Sequence, residues 1–367
     1  MFQSRMRSVL PVALLLSLSA CGGGGGSSDG PGGRGPSAGA PTETPCSAFS
    51  DERLQAMGDE GIRYTSQLGL ANGRYTLPDT PAPTQLVVMF HGNHNNSCSW
   101  RNHLRRAAYE YGAVAVAMDY TGQATRGEIE NYGWFMRAGA ADSIAAARYF
   151  LARYPSITQV FAMGISMGAN ASGVAIASPD AVRPDGSPLF DYWVAVEGVH
   201  NLIEEYLIVR AVAPVVPAGG VAQQEMEEEN GGTLEEVPDR YVEITNVLRA
   251  RDMSYLKGAV MVHAIDDGLV PTTQSREMTV ALNAAGVPTH LYTVGGKGDG
   301  EAGTTATAIL MGPLLGAVGQ EYESPFAGHG WEGSDTHLVT RTGFEQLYAL
   351  MSGATDITPG ETPVPGF

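Results

Sequence analysis

Residues 158–173 read TQVFAMGISMGANASG, and the organisation of the chain follows from them. Val160, Phe161, Ala162 and Met163 form an apolar run suited to a buried strand, and the small residues beyond Gly168 suit a closely packed helix. Between them, Gly164, Ile165, Ser166, Met167 and Gly168 give the spacing GxSxG. On so sharp a turn a serine holds its hydroxyl clear of the backbone, and the flanking glycines let strand and helix approach closely. Ser166 is therefore the candidate nucleophile.

Working outward, the same alternation repeats. The runs QLVVMFHG (85–92), AVAVAMDY (113–120), DYWVAVEG (191–198), GAVMVHAI (258–265) and THLYTVGG (289–296) read as buried strands. Helical spacing separates them at 99–112, at 136–154, after Ser166, up to Ala285, and in the final TRTGFEQLYALM (340–351). Earlier, GIRYTSQLGLANGRYTLPD (61–79) reads as short antiparallel strands around a turn at Asn72-Gly73. Continuous apolar strands between amphipathic helices predict an α/β fold, a mostly parallel sheet with helices on both faces. Sites in such sheets lie beyond the carboxyl ends of the strands.

A serine hydroxyl is a weak nucleophile at neutral pH and needs a base, with a third group to orient that base. VMVHAIDDGLVPTTQS (260–275) puts Asp266 and Asp267 directly after a strand, and SPFAGHGWEGSDTH (324–337) offers His329 and His337 before the last helix. The order Ser, Asp, His, with His91-Gly92 after an early strand, GISMG, HAIDDGLVP and GHGW, resembles the α/β-hydrolase superfamily from about residue 84 to 352. The Asp and His segments resemble its dienelactone-hydrolase and prolyl-oligopeptidase branches. That resemblance implies an α/β-hydrolase fold with Ser166 as nucleophile, Asp267 as acid and His329 as base, Asp266 and His337 being the alternatives. It implies an oxyanion hole from the backbone N–H groups of Met167 and Asn93, where one donor is commonly worth about 3 kcal/mol. The chain departs from the HGGG form in reading HGNHNNSCSW (91–100). It also places a cap insertion at 200–256. The remaining histidines lack a second ligand at metal spacing, so no metal and no cofactor is implied. Glu225, Glu227, Glu228 and Glu229 read as a solvated face, and a second insertion spans 295–323.

The amino terminus has another character. Arg5 and Arg7 precede VLPVALLLSLSA, an apolar run of secretory-signal shape, and Leu18-Ser19-Ala20-Cys21 resembles the lipobox of bacterial lipoproteins. This implies a signal peptide over 1–20, a lipid on Cys21, and an extracytoplasmic place in a bacterial cell envelope, held to the membrane by several acyl chains. Residues 21–45 are Gly-rich with little to bury, a flexible tether with a reach of about 25 to 30 Å. The catalytic domain is expected over 46–355, with a flexible tail over 356–367. Of three cysteines, Cys46 and Cys98 remain as an expected disulfide in an oxidising compartment. Lys and Arg number 22 against 39 Asp and Glu, and the net charge of −17 disfavours a nucleic-acid partner.

The expectation is an exported, lipid-anchored serine hydrolase acting on a small or polymeric carboxylic ester. Peptidase and polyester-depolymerase readings of the same fold are its alternatives, and a non-catalytic binding protein is the rival from another class.

Overall fold

The structure is a computed structural model describing residues 42–45, 60–66, 69–121, 133–295, 328–330 and 337–365, except positions 94 and 215. The chain begins with β1 (Thr42–Pro45), β2 (Glu60–Ser66), β3 (Gly69–Thr76) and β4 (Gln85–Phe90). A 3-10 turn at Ser97–Trp100 leads into α1 (Arg101–Tyr111), followed by β5 (Val114–Asp119), α2 (Met136–Arg153), β6 (Gln159–Ile165), α3 (Met167–Ala177) and β7 (Tyr192–Val196). Between β7 and β8 (Gly258–Ala264) stand α4 (Leu202–Val212), α5 (Pro217–Asn230), α6 (Pro238–Glu243) and a 3-10 segment, Asn246–Met253. The chain closes with α7 (Thr272–Ala284), β9 (Thr289–Gly295), α8 (Leu338–Met351) and β10 (Gly360–Pro365).

The strands form one sheet in the order β1-β2-β3-β5-β4-β6-β7-β8-β9-β10. The first three and the β3–β5 pair are antiparallel, and from β5 to β10 every pair is parallel. Alternate residues feed two cores. Leu86, Val88 and Phe90 of β4 join the core shared with α2, α3 and α7, whereas Val87 and Met89 join the one shared with α1 and α8. A strand buried on both faces has to be apolar throughout, which is why these runs lack the alternation of a half-exposed strand. After β4 the chain turns one way to β5 and then crosses back to β6, so Phe90 pairs with Gly164 at a topological switch point. Among the described residues no helix is long and apolar enough to cross a membrane.

Three expectations change. Asn72 and Gly73 lie inside β3, paired with Arg63 and Ile62, rather than at a turn. Glycine stands there for want of room, since a Cβ on Gly73 would lie 2.6 Å from the Ala117 carbonyl oxygen on β5. Residues 360–365 are no flexible tail: β10 pairs in parallel with β9, and the His290 ring sits between the Thr358 carbonyl at 2.8 Å and the Thr362 hydroxyl at 2.9 Å. Thr42–Pro45, expected within the tether, form β1 against β2. The signal segment, Cys21 and Cys46 lie outside the described residues.

Gly73→Ala should therefore lower stability by about 1–3 kcal/mol in urea unfolding, through overpacking. Gly220→Ala, inside α5 with open space around its Cβ position, should raise it by about 0.5–1 kcal/mol.

Candidate active site

The turn after β6 is as tight as its sequence implies. Ser166 has φ 56° and ψ −125°, a conformation that costs a non-glycine residue about 1–3 kcal/mol, and its N–H donates to the Val196 carbonyl at 2.8 Å. A Cβ on Gly168 would overlap the carbonyl oxygens of Phe90 and His91, and one on Gly164 would overlap that of Gly168. The end of β4 thus lies directly against the first turn of α3. Met167 is fully buried as the first residue of α3, where backbone N–H groups have no intrahelical acceptor and the helix dipole favours negative charge. Asn93 follows β4 in the same region, and its side-chain amide donates to Glu225 of α5 at 2.8 Å. His91 is structural: its ring stacks on Tyr120 at 3.9 Å, and Nδ1 meets the Gly92 carbonyl at 2.8 Å.

Asp267 and His329 come together. His329 Nδ1 donates to Asp267 Oδ2 at 2.7 Å, and both side chains are buried. The other carboxylate oxygen, Oδ1, accepts the N–H groups of Leu269 at 2.8 Å and Val270 at 3.0 Å. His263, inside β8, holds this loop: one ring nitrogen meets Ser275 Oγ at 2.7 Å, while Nε2 meets the Val270 carbonyl at 2.9 Å and lies 3.3 Å from Asp267 Oδ2. Gly328 has φ 81°, and a Cβ there would lie 2.6 Å from the Asp266 carbonyl, so glycine is needed where the histidine loop meets the acid loop. Asp266 and His337 take no part in the pair; His337 instead precedes the first turn of α8.

The sequence reading missed one acid. Glu197, the residue after β7, is completely buried, with Oε2 accepting the Gly330 N–H at 2.6 Å and lying 3.8 Å from His329 Nδ1. Its signal was an acidic residue directly after an apolar strand, the same placement that marks Asp267. Burial alone would lower the basicity of His329, but the charge of Asp267, the acidic group of Glu197 beside it and the hydrogen bond to Asp267 outweigh it and raise its pKa to about 9. Asp267 moves the other way: burial opposes ionisation, yet the His329 charge and the hydrogen bonds from His263 and His329 hold it well below the usual carboxylate range. Glu205 of α4, also buried, accepts from Gln274 at 2.9 Å and is pushed up to about 8 by burial and by the charge of Asp267.

Donor atoms of Glu197, Asp267 and His329 lie within 4.8 Å of one another. An ion there would have to displace the Nδ1–H···Oδ2 hydrogen bond, so the set fits a charge-oriented base better than a metal centre.

Comparison with known proteins bears on the family and the fold. The sequence profile of the prolyl oligopeptidase family matches residues 97–305. The chain belongs to the prolyl oligopeptidase family. Its fold is that of the α/β-hydrolases, as in the esterase Est2 of Thermogutta terrifontis, with a TM-score of 0.51 and 18% identity over 79% of this chain and 92% of that one. Carboxyl esterase 2 of Tuber melanosporum gives a TM-score of 0.52 and 15% identity over 78% and 82%. An acylaminoacyl peptidase of Pyrococcus horikoshii gives 0.49 and 15%; this chain covers 36% of its length, with 64% of its own aligned. Among curated protein sequences no match is found. The family match includes Ser166 and Asp267 but stops short of His329, which the tertiary structure joins to Asp267.

Two further expectations for this prolyl oligopeptidase family member change. The glutamates of α5 form a solvated face only in part, Glu228 being exposed. Glu225 and Glu229 turn inward, to Asn93 and to Arg137 of α2, because they fasten the insertion to the body of the domain. No disulfide is found among the described residues, and the sulfur of Cys98 accepts the Arg74 Nε–H at 3.1 Å. His200 is buried edge-on against Trp193, where burial lowers its pKa to about 3 and keeps it neutral. Beyond Gly295, the second insertion lies outside the described residues.

NMR titration of the His329 imidazole should give a midpoint near 9, and Asp267→Asn should bring it down by about 1–3 units.

Proposed function

We propose that this chain is an exported, lipid-anchored serine hydrolase that cleaves carboxylic esters. Ser166 Oγ attacks the acyl carbon while His329 takes its proton at Nε2, and Asp267 orients the resulting imidazolium through Nδ1–H. The oxyanion settles against the N–H groups of Met167 and Asn93. His329 returns the proton to the leaving alcohol, and water releases the acyl group by the same steps. The observation that carries this reading is the buried 2.7 Å His329–Asp267 hydrogen bond beyond the carboxyl end of β8, with the strained Ser166 following β6 in the same sheet. Family membership supports a peptidase as the second reading. Export and lipidation rest on Arg5, Arg7 and the Leu18–Cys21 stretch.

Turnover of p-nitrophenyl esters of graded acyl length tests the ester reading against aminoacyl p-nitroanilides, and Ser166→Ala should cut kcat by about 10⁵- to 10⁶-fold. A fluorophosphonate should label the wild type and spare the variant. Equal turnover by both proteins would remove Ser166 from the mechanism. A cationic imidazole accepts no proton, so kcat/KM should rise with pH from 7 toward the His329 midpoint at about 9. For the anchor, labelled palmitate should enter the full chain in a bacterial host and be absent from Cys21→Ser.

A further inference from the structure

Glu197 is unusual three times over. Its backbone holds φ 50°, a left-handed conformation that costs an ordinary residue about 1–2 kcal/mol. Its carboxyl group is wholly buried, which costs more unless partners compensate. Oε2 accepts the Gly330 N–H, the Ala264 N–H also favours the carboxylate, and Oε1 makes no hydrogen bond of ordinary geometry among the described residues. The cause is topological. Ser166, Glu197 and Asp267 follow β6, β7 and β8, three adjacent strands, so two acids converge on one face of the same imidazole. Asp267 is 2.7 Å from His329 Nδ1 and Glu197 is 3.8 Å from it.

We infer that Glu197 is a positioning residue for His329: it fastens the backbone of the loop that carries the base, and it is a reserve acceptor for the Nδ1 proton. This rests on the reading of His329 as the general base. The neighbourhood explains why only one acid is charged. From β8 and its following loop come Asp267 and His263, from α4 comes Glu205, and from the loop before α8 comes His329. Burial, and after it the negative charge of Asp267, favours the protonated form of Glu197, against the attraction of His329. Two carboxyl groups sharing one site do not ionise together. With Asp267 neutralised the like charge is gone, the attraction of His329 is left to act against burial alone, and a Glu197 oxygen needs to approach Nδ1 by roughly 1 Å to reach ordinary hydrogen-bond distance.

A double-mutant cycle on the full chain tests this with Asp267→Asn, Glu197→Gln and the two combined. Gln keeps the shape and the acceptor for Gly330, and thermal melts of all three check folding. With Asp267 present, Glu197→Gln should cost less than about 3-fold in kcat, and in the Asp267→Asn background about 10-fold or more, as coupled neighbours do. The same cost in both backgrounds would overturn the assignment. A second readout needs no turnover. The strongly deshielded Nδ1 proton of His329, identified by its loss in His329→Gln, should survive Asp267→Asn and vanish in the double variant. Its loss in Asp267→Asn alone, or its survival in the double variant, would equally overturn it. If Ser166→Ala shows that esters are not the substrate, the proton resonance still decides the role of Glu197.

Discussion

The absence of space between β4 and the first turn of α3 governs this molecule. With no side chain at Gly164 or Gly168, the carbonyls of Phe90 and His91 pack against the helix start. That contact sets the end of β4 against the start of α3, where the chain at Ser166 holds a conformation that serine adopts only under constraint. The sheet tolerates the strain because both of its faces are filled: buried Val, Met and Phe side chains contribute about 1.5–3 kcal/mol each. Strain localised on a well-packed scaffold presents a hydroxyl without disordering what surrounds it.

A second constraint is charge in a dry place. The ends of β7 and β8 and the start of α4 bring Glu197, Asp267 and Glu205 around a single histidine, all with buried side chains. In water such groups would scarcely notice one another, whereas at low dielectric each changes the others' protonation. The insertion between β7 and β8 contributes to that seclusion. Glu225 reaches Asn93, and Arg137 of α2 reaches Glu229 at 3.3 Å, the Arg240 carbonyl at 2.7 Å and Glu243 at 3.1 Å. The insertion is therefore bound to the segment after β4 and to α2.

Much of this was legible in the chain because it depends on local pattern. The parallel strands announce themselves as unbroken apolar runs, and Gly112 ends α1 with φ 68°, as a glycine after a helical stretch implies. The reading went astray where a residue type has two uses. Gly73 looked like a turn and is a close contact across strands. The acidic run of α5 looked solvated and is partly a fastening. Residues 360–365, with two prolines and no apolar run, looked like a tail and pair along the edge strand, because an edge needs backbone hydrogen bonds on one side only.

What the sequence by itself determined is the order of elements, the α/β class and the identity of a serine, an aspartate and a histidine in family order, since each follows from spacing within a few residues. Which aspartate meets which histidine was decided only by the fold, because Asp267 and His329 are 62 residues apart and touch through loops on different elements. Glu197 belongs wholly to the tertiary structure. Nothing local distinguishes an acid that ends a strand on the surface from one placed between two others beside a buried imidazole; strand adjacency makes that difference.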